Sequence, residues 1–99
     1  MEELRKLLEK IEKIKFTADQ RCIERLGNCL HDSLEALECM KFNASAEWLD
    51  LKSCAWVIHE RYHMDEPEQM KWTFHHSQHR MTKNLSLIIE RMEERKRAA

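Results

Sequence analysis

The spacing of apolar residues along the chain predicts a series of amphipathic helices. Apolar side chains recur every three or four positions, which places them on one side of a helix with 3.6 residues per turn. Residues 2–15 would form a first helix, with Glu and Lys on its polar faces and with an apolar seam of Leu4, Leu7, Leu8, Ile11 and Ile14. Residues 18–42 would form the second, whose seam is Ile23, Leu26, Leu30, Leu34 and Leu37.

Two further seams predict the third and fourth helices. Residues 46–64 carry the third seam, which consists of Trp48, Leu51, Ala55, Ile58 and Tyr62. Residues 67–96 carry the fourth, which consists of Met70, Phe74, Ser77, Met81, Leu85, Ile88 and Met92. Pro67 is expected in the first turn of the fourth helix, where its missing N–H leaves no hydrogen bond unmade. The sequence therefore predicts an all-α antiparallel bundle of four helices, with residues 1–99 forming a single domain.

The boundary between the first two helices depends on a short polar segment. Residues 17–20 fit a capping box, with Thr17 as the N-cap and Gln20 at the third helical position, and this favours a break just before them. The alternative is one unbroken helix over residues 2–41, because no Gly or Pro intervenes before the second seam. That alternative would turn the bundle into a three-helix array with a long first helix.

Composition supports the helical class and disfavours several others. The 99 residues include one Gly and one Pro, whereas a β-rich fold needs a turn about every 8–12 residues. The 17 basic and 18 acidic residues are interspersed and give a net charge of -1, so nucleic acid is a disfavoured partner. No apolar run approaches the length of a membrane span, and no signal-peptide core is present. We therefore expect a cytoplasmic protein with no membrane partner.

The four cysteines are expected to be reduced thiols. Cys22, Cys29, Cys39 and Cys54 contain no C-x-x-C pair, so their spacing indicates neither a zinc knuckle nor a redox dithiol. They fall within the helical pattern, where a free cysteine acts as a small buried hydrophobe. Cys22 and Cys29 are seven residues apart and share one stripe of the second helix, which indicates close packing there.

Residues 59–63 spell H-E-x-x-H, a pattern found on the zinc-binding helix of metallohydrolases. Positions i and i+4 lie one above the other on a helix, so His59 and His63 could bind the same zinc ion. Glu60 would stand beside them as the general base that deprotonates a zinc-bound water. The string therefore predicts a candidate metal site with one candidate catalytic residue.

A third zinc ligand would come from the fourth helix. A hydrolytic zinc site needs three protein ligands and an open position for water. If the last two helices form an antiparallel hairpin, His59 comes level with residues 72–76, which makes His76, or otherwise His75, the third ligand. His75 and His79 form a second i, i+4 pair, but they point away from the apolar seam. That second pair is predicted to be a solvated surface rather than a metal site.

Some apolar residues lie outside the four seams and bear on function. Trp56, Val57, Leu87 and Ile89 give the last two helices a second apolar side, which indicates either a wide core or a partner surface. The fourth helix also outruns the third. Unless the first helix covers its apolar end, a second copy of the chain would do so, and a homodimer is expected on that ground.

The leading functional hypothesis is a non-enzymatic interaction or regulatory module that acts through its helix faces. Its partner would be a helical protein or a second copy of the chain. The alternative is a zinc-dependent hydrolase, or a helical metal-binding protein, built on His59, Glu60, His63 and His76. A chain so poor in Gly and Pro also permits an engineered bundle, although four Cys and six Met are unusual choices in a design.

Overall fold

The computed structural model describes residues 2–43, 45–61 and 66–98, without the side chains of Glu60 and Arg61. Within these residues the chain forms four α-helices and no strand, which confirms the all-α bundle and favours four helices over three. The helices are α1 (Glu2–Lys13), α2 (Gln20–Cys39), α3 (Ala46–Arg61) and α4 (Pro67–Ala98).

The break between α1 and α2 lies where the sequence predicts it, but a different residue caps α2. Ala18 has a φ of 58°, a left-handed conformation that no helix interior contains. The N-cap is Asp19, whose carboxylate accepts a hydrogen bond from the backbone N–H of Arg21 at 2.9 Å. Thr17, the predicted N-cap, instead donates its hydroxyl to Asp19 at 2.7 Å. The prediction of Thr17 as the N-cap is therefore wrong by two residues.

The other helix starts follow local sequence signals. Ser45 precedes α3, and its hydroxyl accepts a hydrogen bond from the N–H of Trp48 at 3.1 Å, as an N-cap does. Pro67 is the first residue of α4, as predicted. Gly27 lies inside α2, and a Cβ added there would lie 3.6 Å from Cγ2 of Ile58. The only glycine in the chain therefore marks a place where α2 passes close to α3.

The helices pack around a central pair. α2 and α4 contact each other, and each also contacts α1 and α3. Within the described residues α1 and α3 share no contact, so they lie on opposite sides of the α2–α4 pair. The core between them is apolar, and its largest fully buried side chains include Phe74, Leu4, Ile11, Leu26, Leu30, Leu37, Leu51, Met81, Leu85 and Ile88.

The apolar end of α4 is covered by the same chain. α4 has 32 residues, about 48 Å of helix, and it outruns α3 as the sequence predicts. α1 packs antiparallel along it, because Arg5 pairs with Glu93 while Gln78 contacts the other end of α1. Ile89 lies beside Arg5 and Leu8 of α1, and both Ile88 and Ile89 are buried. The length mismatch thus gives no reason for a second copy of the chain to bind there.

α3 is tied to α4 by an acidic side chain whose charge should make stability depend on pH. Asp50 accepts hydrogen bonds from the Arg80 guanidinium and from the amide of Asn84, which is itself buried. The Arg80 hydrogen bond, with a smaller contribution from Asn84, lowers the pKa of Asp50 below its ordinary value. Since the folded pKa is the lower one, this stabilisation is complete above the unfolded pKa and is lost as the pH falls through the folded value.

We expect Asp50→Asn to reduce the free energy of unfolding by about 1 kcal/mol at pH 7, a modest figure because the Asp50 side chain is 38% exposed. Urea unfolding from pH 7 down to pH 2 should show the difference between variant and wild type shrinking below about pH 4. The exposed Asp32→Asn is the matched control and should change little. A difference for Asp50→Asn that stays constant down to pH 2 would contradict the assignment.

Candidate interaction surface

The outer side of α3 exposes two large apolar side chains. Trp56 is 67% exposed and Leu49 is 58% exposed. They are seven residues apart, so they lie two turns from each other on the same side of the helix. Their side is roughly opposite the buried Leu51 and Ile58. We call the exposed and uncharged residues of this side the α3 stripe, which consists of Ala46, Leu49, Ser53 and Trp56.

A groove of about 280 Å³ runs between α2 and α3 beside this stripe. Gly27 contributes no side chain to it, which deepens the groove at the point where α2 approaches Ile58. Its walls are mostly apolar and include Ile23, Leu30, Leu34, Ala55 and Ile58. We call it the α2/α3 groove.

On α3 the stripe lies next to residues that line the groove. Ala55 and His59 line the groove from α3. Trp56 directly follows Ala55 in the chain. On a helix its side chain lies about 60° around the axis from that of His59, on the side away from the groove. A helix lying in the groove would therefore meet the indole of Trp56 at its edge. This geometry joins the concave apolar surface to the most exposed aromatic residue of α3.

The rim of the groove carries little charge, and that charge is acidic. Among the described residues that line it, Glu24 is the only Asp, Glu, Lys or Arg. His31 also lines it, and its Nε2 lies 3.7 Å from a carboxylate oxygen of Glu35. An apolar segment with a basic residue near one edge would therefore fit this groove better than an acidic one.

A second exposed aromatic group lies on α4. Trp72 is 52% exposed, and its ring stacks on His76 with 4.5 Å between centroids and 13° between planes. His75 lines the same concavity as Trp72 and His76, and its ring also lies 5.9 Å from that of Phe16. His75 therefore adjoins both this concavity and the segment between α1 and α2.

The predicted zinc ligands lie on separate surfaces as far as the structure describes them. His59 is exposed and lines the α2/α3 groove, whereas His76 lines a concavity on α4 with Trp72 and Glu68. His63 and the side chain of Glu60 lie outside the described residues. Among the residues described, no three His, Cys, Asp or Glu side chains are grouped to hold a metal ion. The H-E-x-x-H site remains a prediction.

The thiols are free, and most are buried. Cys22, Cys29 and Cys54 are buried, while Cys39 is exposed. Burial raises the pKa of Cys29 and of Cys54 above that of an ordinary thiol. Because the thiolate is the reactive form, these two side chains are poor nucleophiles at neutral pH. Their role is packing, as the sequence predicts.

The apolar residues outside the seams have different roles. Ile89 is buried against α1, so it belongs to a wide core, whereas Trp56 is exposed and belongs to a surface. Leu49 and Trp72 are exposed apolar residues that the predicted seams and surfaces do not include. Leu49 carried a usable signal, because it precedes Trp56 by seven residues and shares its side of the helix.

Comparison of this chain with protein-family models, with curated proteins and with solved structures gives no significant match. Within the described residues, no helix combines the length and the apolar character needed to cross a bilayer. Function must therefore be inferred from the chain's own surfaces.

Proposed function

We propose that this protein is a non-enzymatic interaction module that binds a helical segment of a protein partner through the α2/α3 groove and the α3 stripe. The observation that carries the proposal is the exposure of Trp56 on α3, next to residues that line an apolar groove. Tryptophan is strongly enriched among the residues that dominate binding energy at protein interfaces. Its large apolar surface gains most when a partner removes it from water.

The shape of the surface favours a single partner helix over a flat interface with a second copy. α3 has 16 described helical residues, about 24 Å in length, so its outer stripe alone offers much less than the roughly 800 Å² per partner of a stable interface. A helix that enters the groove contacts α2 and α3 together. This is the helix-in-groove mode of recognition, in which apolar residues at i, i+3, i+4 and i+7 anchor the ligand.

The proposal predicts that a partner binds at position 56. A photo-crosslinking amino acid placed there should couple the protein to its partner in the cells that produce it, and the same probe at position 6 on α1 should not. Once the partner has been identified, Trp56→Ala should weaken its binding to the protein by about 30-fold, the factor that corresponds to 2 kcal/mol. The thermal midpoint should hardly change, because Trp56 is exposed.

Lys6→Ala is the matched control, since Lys6 is exposed and lies on α1, away from α3. A partner that binds the Trp56 and Lys6 variants equally well would contradict the proposal. A crosslinked product of twice the chain's mass would instead identify a second copy of the chain as the occupant.

One observation supports the alternative of a zinc-dependent hydrolase. His59 is exposed within a groove, where a ligand on zinc would be partly shielded from water. This alternative depends on His63 and on Glu60 as the base. Zinc titration of His59→Ala tests it, because this variant should lose zinc binding if the alternative holds.

A further inference from the structure

A second histidine pair lies beside a carboxylate from another helix. His75 and His79 are one turn apart on α4, so their imidazoles lie on the same side. Together with Glu12 of α1 they line one concavity of about 260 Å³. All three side chains are exposed. The sequence alone predicts a solvated histidine pair here, and the structure adds the carboxylate.

A hydrogen-bonded contact holds the part of α1 that carries Glu12 against α4. The side-chain amide of Gln78 donates to the carbonyl oxygens of Ile11 at 2.9 Å and of Ile14 at 2.8 Å. These carbonyls flank Glu12, while Gln78 lies between His75 and His79 and lines the same concavity. The end of α1 is therefore held against the turn of α4 that carries both imidazoles.

We propose that Glu12, His75 and His79 bind a zinc ion that links the last turn of α1 to α4. The three side chains do not converge on one point in the structure, so the ion must gather them by rotation about their side-chain bonds. Their exposure leaves room for that rotation. Two imidazoles and a carboxylate form a donor set that zinc accepts, with water completing four-coordination.

The donor set also determines which ions should bind. Imidazole nitrogen favours zinc over magnesium and calcium, which prefer oxygen ligands. The site uses none of His59, His63 or His76, and it does not rest on the proposed partner surface, since α1 and α3 share no contact among the described residues.

Zinc titration of the full chain tests the proposal. Cys39→Ser serves as the background, because Cys39 is an exposed thiol that could bind zinc by itself. Calorimetry gives the affinity, and imidazole NMR signals identify the ligands. We expect His75→Ala and His79→Ala each to weaken binding at least about 10-fold, since even a lost outer-shell partner costs 10–100-fold. Magnesium should produce no shift.

The Glu12→Gln variant tests whether the carboxylate of Glu12 is the third ligand of the zinc ion. Zinc should slow amide hydrogen exchange in α1 of the parent protein, and this slowing should disappear in Glu12→Gln along with a weaker affinity. Glu9→Gln is the matched control, because Glu9 is an exposed carboxylate of the same helix outside the concavity. Circular dichroism checks that each variant folds.

Three outcomes would overturn the proposal. One is zinc affinity that changes less than twofold in both His75→Ala and His79→Ala. Another is an unchanged affinity and unchanged α1 exchange in Glu12→Gln, which would reduce the site to a two-histidine chelate. The last is zinc binding that disappears only on His59→Ala, which would assign the ion to the H-E-x-x-H helix instead.

Discussion

Replacement of Ile11 by alanine should lower the free energy of unfolding by about 2–5 kcal/mol, the usual range for removing a buried isoleucine side chain. Ile11 is fully buried, and α1 packs along α4 beside Ile89, towards the end of that helix. A weakened α1 should leave that apolar end open part of the time. We therefore expect self-association that grows with protein concentration in the variant and not in the parent chain.

Chemical denaturation measures the loss of stability in Ile11→Ala, and light scattering over a range of concentrations measures the association. Lys10→Ala is the matched control, because Lys10 is the exposed neighbour of Ile11, and it should change stability by less than about 0.5 kcal/mol. An Ile11 variant with the stability of the control would show that α1 is not part of the cooperative core.

Phe74→Ala should have an effect of similar or larger size, about 3–5 kcal/mol. Phe74 is 1% exposed and lies on the α4 side that faces the core. Its ring also lies 5.7 Å from the ring of Phe16, with 54° between the planes, so it joins α4 to the segment between α1 and α2. Phe16→Ala should cost less, because Phe16 is only half-buried.

The ring contact itself can be measured with the double variant. The losses for Phe16→Ala and Phe74→Ala should fall short of additivity by about 0.5–1.5 kcal/mol, the usual coupling of an aromatic pair. Lys71→Ala, exposed and one turn away, is the control for changes on α4. Strict additivity of the two phenylalanine variants would show that the rings share burial but no direct interaction.

The helices could be predicted from sequence because each has its own apolar period, but the details of their ends could not. The seam of α2 continues through Gly27, and the helix does too. Thr17 and Asp19 both suit an N-cap, and the choice between them depends on the left-handed turn at Ala18. A non-glycine residue in that conformation leaves no signal in the sequence pattern.

For the candidate surfaces, too, the sequence could predict some features and not others. Spacing along one helix correctly places His75 and His79 on one side of α4 and Leu49 with Trp56 on one side of α3. Spacing cannot tell which neighbouring helix faces each side. His59 lines a groove together with residues of α2, and Glu12 becomes a neighbour of His75 and His79 only through the contact between α1 and α4.

The contact of α1 with α4 also has a consequence for synthesis of the chain. Synthesis proceeds from the N-terminal side, so α1 is made together with its neighbour α2 before α4, the other helix it packs against. Gln78, Ile89 and Glu93, which meet α1 in the finished protein, are all made after α1, α2 and α3. The buried side of α1 can therefore complete its packing only after α4 has left the exit tunnel.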